Sequence, residues 1–481
     1  MRPSALKAYM RVSSVELLSG TMNSDADRSP RISPRTSVTL IGSFRNLELP
    51  ADFDHLFRDG VLVDPRNGAP MEMDAYSAYL ALKAIERVHR ADYSRERKIL
   101  ADAIIARMQD CGGFWRHGAW TGSHREIHMR FTAAALRLLC EALSDRIVIS
   151  PSLLTEALKK HLLHSDKLEK GTWFLHDSLE KADTGVMHPQ RPIKNRAIGS
   201  SAENCLVLNT HVDTLCTLIF VLKKIRMHEV DRVFFRSKLA SGLLALNAAL
   251  NINQGILWRQ FAKFDVIMRK ALFRLYSQQP SSASFAIFFQ KVCRALIIRL
   301  YFPVRQRIRS RLHGFIFPDG YIERDIALDG TGFEYHLVNI YDLSRFLIQA
   351  NELAFEIDPS LIDQCTRIID KGIEYAINTS YWAYLIASSQ DSGRAILLCE
   401  TILARLATKK DNEPIPQSWI HAYCVLRRAA SARSAAILGY DPFIVAELDR
   451  DSISRENWDV LKLRNGNNIA IDLVNEAIVA S

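Results

Sequence analysis

The nine residues FPDGYIERD (317–325) hold Asp319, Tyr321, Glu323, Arg324 and Asp325, a density of acid, phenol and guanidinium that suits acid–base chemistry. Tyr321, Glu323 and Asp325 alternate, so in an extended segment all three face one way. Two carboxylates flanking a glycosidic bond hydrolyse it, at roughly 6.5–9.5 Å separation for inversion or 5–5.5 Å for retention. A base that takes the proton beside a uronate carboxylate, with a donor such as Tyr, instead eliminates or epimerises. The loop supplies either set. Pro318-Asp319-Gly320 is also a turn by its own chemistry, which accounts for Asp319 without any function.

A second loaded stretch, GTWFLHDSLEKAD (171–183), opens with Gly171 and carries Trp173, His176, Asp177 and Glu180. Asp177 and Glu180 stand at capping-box spacing, so a helix starting near Asp177 would employ both. Trp173 and His176 beside them suit a glycan subsite, because sugar rings stack on indoles and carboxylates accept sugar hydroxyls. FEYHLVNIYD (333–342) adds Glu334 and His336 near a helix start, with Tyr335 and Asn339 one turn apart. SSAENCLVLNTHVDTLCTLIFVLKKI (200–225) places Asn209 and Asp213 on one helix side, with Asn204 and His211 on another. Buried, such polar groups need partners, either protein or ligand, since each left unsatisfied costs about 1–3 kcal/mol. In HREIH (124–128) two histidines four apart share a helix face, but Arg125 stands where the zinc signature needs Glu, so no metal is expected and His128 reads as a rim residue. Trp115 and Trp120 of GGFWRHGAW complete the candidate lining. No phosphate loop, dinucleotide turn or GxSxG elbow is present. No cofactor is expected.

The elements that must position these residues read as helices. Apolar residues recur at three- and four-residue spacings in 71–90, 126–143 and 200–225 and in four later runs, whereas alternating patterns are confined to IVIS and GYIERD. The helix at 200–225 is expected to begin with Ser200 and Glu203 as a capping box and to be buried nearly all round. Aromatic turns recur before helices, from Gly112, Gly171, Gly255, Gly314, Tyr381 and Pro416. Several are about 60 residues apart, room for one helical hairpin each. The fold class is all-α.

Hairpins in this number make an open solenoid, a closed ring of inner and outer helices, or an irregular bundle. Inner helices preceded by turns with Trp, His and acids resemble the (α/α) toroids of carbohydrate-active proteins, among them polysaccharide lyases, uronyl epimerases and glycoside hydrolases. NCLVLNTHVDTLCTLIFVL resembles their inner helices and HGFIFPDGYIERD their cleft loops. The resemblance covers about residues 70–440 in pattern, without a family signature, and no β-sandwich is expected after the helices. It implies a toroid or incomplete toroid acting on an anionic or lipid-linked glycan. Glu323, Asp325, Tyr321, His336 and Asp177 would then be catalytic, and Glu323→Gln would abolish turnover with little loss of stability.

Of the 62 basic and 53 acidic residues, twelve basic and one acidic, Asp265, fall between Arg259 and Arg311, leaving 50 against 52 elsewhere. The basic character belongs to that segment. Lys291, Arg294, Arg305, Arg307, Arg309 and Arg311 are its candidates for meeting a partner or an anionic membrane surface. A basic turn following Pro303 is expected to be solvated. A non-catalytic scaffold docking through this segment is the alternative function. Nucleic acid is not an expected partner, the rest of the chain being near neutral. The expected organisation is a disordered leader over 1–45, helices over 46–258, a basic insertion over 259–312 and helices over 313–481. Eight scattered cysteines read as free thiols. With no signal-peptide pattern and no stretch of roughly 18 uncharged apolar residues, the expected address is cytoplasmic, peripheral on the inner membrane surface.

Overall fold

A computed structural model describes residues 36–40, 46–58, 61–63, 71–89, 91–110, 113–116, 127–147, 150–180, 204–252, 255–277, 284–312, 314–325, 333–351, 357–388, 393–409, 414–431, 437–438, 445–448, 458–463 and 468–480. The fold is mostly helical, as the periodicity predicts. The first helices are α1 (Glu72–His89), α2 (Ser94–Asp110), α3 (Met129–Ser144), α4 (Pro151–Leu162), α5 (Leu208–Lys224), α6 (Glu229–Leu250) and α7 (Ile256–Ser277). They are followed by α8 (Ser284–Leu296), α9 (Phe302–Leu312), α10 (Tyr335–Asn351), α11 (Pro359–Asn378), α12 (Ser380–Ser388), α13 (Gly393–Ala407) and α14 (Gln417–Ser431).

Helices that are apolar on every side can only sit where other helices surround them. Thus α3, α5 and α10 are buried along almost their whole length. They form the middle of a row in which each helix packs on the next, α1–α3–α5–α10–α13. Helices with one apolar face cover this row: α2 on α1 and α3, α4 on α3, α6 on α5, α11 on α10, α14 on α13. α6 is long and apolar enough by composition to cross a membrane. It turns Phe235, Leu239, Ala245 and Leu246 inward. Seven described cysteines are free, six of them buried.

The strands are short. β1 (Thr36–Thr39), β2 (Asn46–Leu49) and β7 (Ile437–Leu438) make a sheet in the order β2-β1-β7, while β3 (Phe57–Arg58) pairs with β4 (Val61–Leu62) and β5 (Ser165–Lys167) with β6 (Thr172–Phe174). β8 (Val445–Leu448), β9 (Trp458–Leu463), β10 (Asn468–Asp472) and β11 (Ala477–Ala480) form an antiparallel sheet in the order β11-β10-β9-β8. A four-stranded sheet therefore follows α14, where the expected organisation has helices to residue 481. It is joined to α14, where Arg428 donates to the Leu473 carbonyl at 2.6 Å and Gln417 to that of Glu476 at 2.8 Å. β1 lies within the expected leader.

The aromatic turns mark a structural repeat. Gly113, Gly171 and Gly320 have φ of +87°, +85° and +96°, conformations that L side chains rarely adopt. A Cβ on Gly113 would strike Lys160 of α4, on Gly171 the Ser241 and Ala245 backbone of α6, and on Gly320 the Lys371 backbone of α11. Each glycine thus lets a turn press on a covering helix. Beyond the second and third turns the chain repeats the same bonds. The Phe174 N–H donates to His211 Nδ1 at 3.0 Å, and His211 Nε2 donates to the Gly242 carbonyl at 3.1 Å. Likewise the Ile322 N–H donates to His336 Nδ1 at 3.2 Å, and His336 Nε2 to the Gly372 carbonyl at 3.0 Å. Trp173 stacks on His211 and Tyr321 on His336. The His176 carbonyl then accepts the first N–H of α3, and the Arg324 carbonyl that of α5. One turn so fastens a buried helix behind it, a buried helix ahead and a covering helix.

Two expectations about local structure are corrected. α5 starts at Leu208 with Val207 as N-cap and no side-chain cap, rather than at a Ser200 capping box; Ser200 and Glu203 lie outside the described residues. Pro303 does not begin a turn. The π-helical stretch Ile297–Tyr301 precedes it and α9 runs on through it, a wider turn being one way a helix accommodates a missing N–H.

Candidate functional site

The buried row is charged inside. Arg130 on α3 pairs with Asp342 on α10 (2.5 and 3.2 Å), and Arg137 on α3 with Asp213 on α5 at 2.8 Å. Arg345 on α10 reaches Asp213 at 2.8 Å and Asp342 at 2.9 Å. Burial pushes the Asp213 carboxyl up, but Arg137, Arg345 and Arg130 outweigh it and hold the group well below the usual carboxylate range. The partners foreseen for Asp213 are therefore protein groups. Its helix neighbour Asn209 differs: its Oδ1 is buried without a hydrogen-bond partner.

The acids of FPDGYIERD belong to a second buried network. Glu323 receives Arg305 at 2.7 Å and Arg309 at 3.5 Å, while Asp265 receives Arg305, Arg269 and the Tyr301 hydroxyl at 2.5, 2.6 and 2.6 Å. Burial raises the Asp265 pKa; Arg305 and Arg269 overcome this and leave it well below the usual range. Arg269 also donates to Asp319 at 2.9 Å and lies 4.2 Å from the Tyr321 ring centroid. Arg305 and Arg309 thus point inward as counter-charges, which corrects their expected place on a solvated basic turn. Burial, and then Glu323, push the Tyr321 phenol well above its ordinary value. Asp325 is fully buried, and its carbonyl accepts from Arg309.

Both nitrogens of His336 are engaged by backbone, as are those of His211, and burial pushes each imidazole down to about 3. These rings are fixed, neutral bridges. Trp173 lies 4.0 Å from the His211 ring centroid with no exposed surface, and Trp115 is buried with its indole N–H on the Ile104 carbonyl at 3.0 Å. Glu180 accepts the N–H groups of His176 and Cys205 (2.5 and 3.4 Å) on a 3₁₀ turn, Ser178–Glu180, rather than capping an α-helix. Asn204 spans Asp166 and the Leu206 N–H, both at 2.9 Å, and Asn339 donates to the Glu323 carbonyl at 2.9 Å. Trp120 lies outside the described residues. Among the described residues no group of three or more His, Cys, Asp or Glu side chains is placed to hold a metal.

What remains gathers where the N-terminal ends of α3, α5 and α10 meet. His128, the residue before α3, bridges to Asp177 and lies 4.3 Å, centroid to centroid, from His176. His176 Nδ1 is 2.7 Å from Thr210 Oγ1 on α5, and its Nε2 meets the Arg324 guanidinium. Arginine only donates, so Nε2 is the acceptor and Nδ1 carries the proton. The Arg324 guanidinium lies 5.0 Å from the ring centroid of Tyr335, which, like Glu334, is half-buried at the start of α10. Arg130 approaches the Asn209 carbonyl at 3.5 Å. His128, Arg130, His176 and Arg324 each keep 6–8% exposure, unlike the sealed Glu323 network. The sequence marks Arg324 only as part of a loaded loop, with no role of its own, and does not mark Arg130, since only contact with His176 and Asn209 distinguishes them from other arginines. The chain matches no known family model, no characterised protein and no solved structure.

Proposed function

We propose that the protein is a carbohydrate-active α/α toroid that removes the proton beside a uronate carboxylate of an anionic glycan, as a lyase or epimerase does. The contact that carries this reading is Arg324 joining His176 Nε2 to the ring of Tyr335. An incoming carboxylate offers Arg324 a bidentate, charge-matched partner in place of a neutral imidazole. His176 Nε2, released with its lone pair, then takes the proton from the carbon bearing the carboxylate, while Arg324 balances the charge that develops on the carboxylate oxygens. Tyr335 gives its hydroxyl proton to the departing glycosidic oxygen in elimination, as the C–O bond breaks and a C=C bond forms. In epimerisation Tyr335 instead gives its hydroxyl proton to the opposite face of the same carbon, and His176 keeps the proton it took. Asn209 Oδ1 offers a buried acceptor beside Arg130. The acids at 177, 180, 323 and 325 serve as structural counter-charges and backbone acceptors in this scheme.

Arg324→Gln and Tyr335→Phe should each lower turnover of a uronate polymer by 10²-fold or more, with folding kept by circular dichroism. Wild-type rates in both variants would remove the cluster from the reaction. The burial of all four acids also favours a second reading, a non-catalytic helical scaffold, which predicts no turnover in any variant.

A further inference from the structure

The segment 255–312 is built with two unlike sides. Inward, Trp258, Asp265, Arg269, Phe273, Tyr301, Phe302, Arg305 and Arg309 are buried. Outward, α7 exposes Phe264 (51%) and Ile267 (64%), and α8 exposes Phe288 (65%), Phe289 (60%) and Leu296 (51%), followed by Leu300 (66%) and Val304 (51%). The spacing from Phe289 through Leu296, Leu300 and Val304 to Arg307 and Arg311 is that of one helix face. The outer faces are neighbours, because Asp265 on α7 holds Tyr301 and Arg305, and Phe264 meets Tyr301 edge-on at 5.5 Å.

Of the twelve basic residues in this segment, three are buried and Arg294 is half-buried; eight are exposed, namely Arg259, Lys263, Lys270, Arg274, Lys291, Arg299, Arg307 and Arg311. The only acid, Asp265, is buried. An exposed surface that combines large apolar side chains with cations alone is complementary to one kind of partner in particular. A bilayer with anionic headgroups takes apolar side chains at its acyl boundary and cations at its phosphates.

We propose that α7–α9 dock the protein on an anionic lipid bilayer, with Phe288, Phe289, Leu296 and Leu300 entering the interface and Lys291, Arg299, Arg307 and Arg311 at the headgroups. This is independent of the reaction proposed above. The 481-residue chain is sedimented with vesicles of phosphatidylcholine alone and of phosphatidylcholine with phosphatidylserine. Binding is expected only to the anionic vesicles, weakening as salt is added. The combined Lys291→Gln, Arg299→Gln, Arg307→Gln and Arg311→Gln variant should bind more than about a hundredfold more weakly, at roughly fivefold per charge. Phe288→Ser with Phe289→Ser should lose most of the binding. If the serine pair disturbs folding, the charge variant, altered only at exposed positions, decides alone. No sedimentation with anionic vesicles, or undiminished binding by the charge variant, overturns the proposal. So does a dimer in solution that Phe288→Ser with Phe289→Ser dissociates, because a second copy then covers the face.

Discussion

Glu323 and Arg324 are adjacent in sequence and opposite in setting. Glu323 sits between Arg305 and Arg309 with 2% exposure, and Arg324 reaches the less sealed group around His176. Removing the Glu323 charge leaves buried guanidiniums short of a counter-ion, which typically costs about 3–5 kcal/mol. Glu323→Gln should therefore lower the free energy of unfolding in urea by about that much, where sequence logic expects lost turnover in a stable protein. Arg311→Gln, at an exposed position of the helix that carries Arg305 and Arg309, should change it by less than about 0.5 kcal/mol. Equal stability of the two variants would contradict the assignment. The alternation of Arg305, Arg307, Arg309 and Arg311 cannot be resolved by composition, since which arginines turn inward depends on where Asp265 and Glu323 fall in space.

The unit of construction is the glycine turn that fastens one covering helix and two buried ones. Ala at Gly171 or Gly320 meets both an unfavourable φ and a neighbouring backbone, so each substitution should cost about 2 kcal/mol or more. Gly255→Ala, with no heavy atom within 4 Å of the added Cβ, should cost under about 1 kcal/mol. Thermal unfolding of the three variants checks the order, and a Gly255 variant as unstable as the others would break it. These turns are legible in the sequence as aromatic clusters following glycine, because a positive φ and a ring that must be buried both leave marks in residue type. The bonds to His211 and His336 are not legible, since they join residues 14 to 37 positions apart. β8–β11 are missed for another reason: strands of four to six residues with few alternations give little periodic signal.

Across the whole molecule, stability should depend on pH through three histidines. Burial pushes His161, His211 and His336 down to about 3, against about 6.5 in an unfolded chain. Below pH 6.5 the unfolded state takes up protons that the folded state refuses, so stability falls as pH falls, by about 1.4 kcal/mol per unit for each ring. Asp213 and Asp265, whose carboxyls are held low, stabilise the fold above about pH 4 and lose that contribution only below it. Between pH 7 and pH 5 the histidines should cost about 2 kcal/mol each, roughly 6 in sum. Urea midpoints at the two pH values test this, and His336→Gln should flatten the slope by about a third; no change with pH would contradict it. The all-α class is readable from periodicity alone. The location of a site is not, because the residues richest in chemistry by type are those the core consumes. The most direct measurement is solvent-deuterium incorporation at the carbon bearing the carboxylate of a uronate oligosaccharide, in wild type and in Arg324→Gln. Uptake or elimination by the wild type that falls at least 10²-fold in the variant is the predicted result. Uptake that survives unchanged in Arg324→Gln, or none with any uronate polymer, would contradict the account.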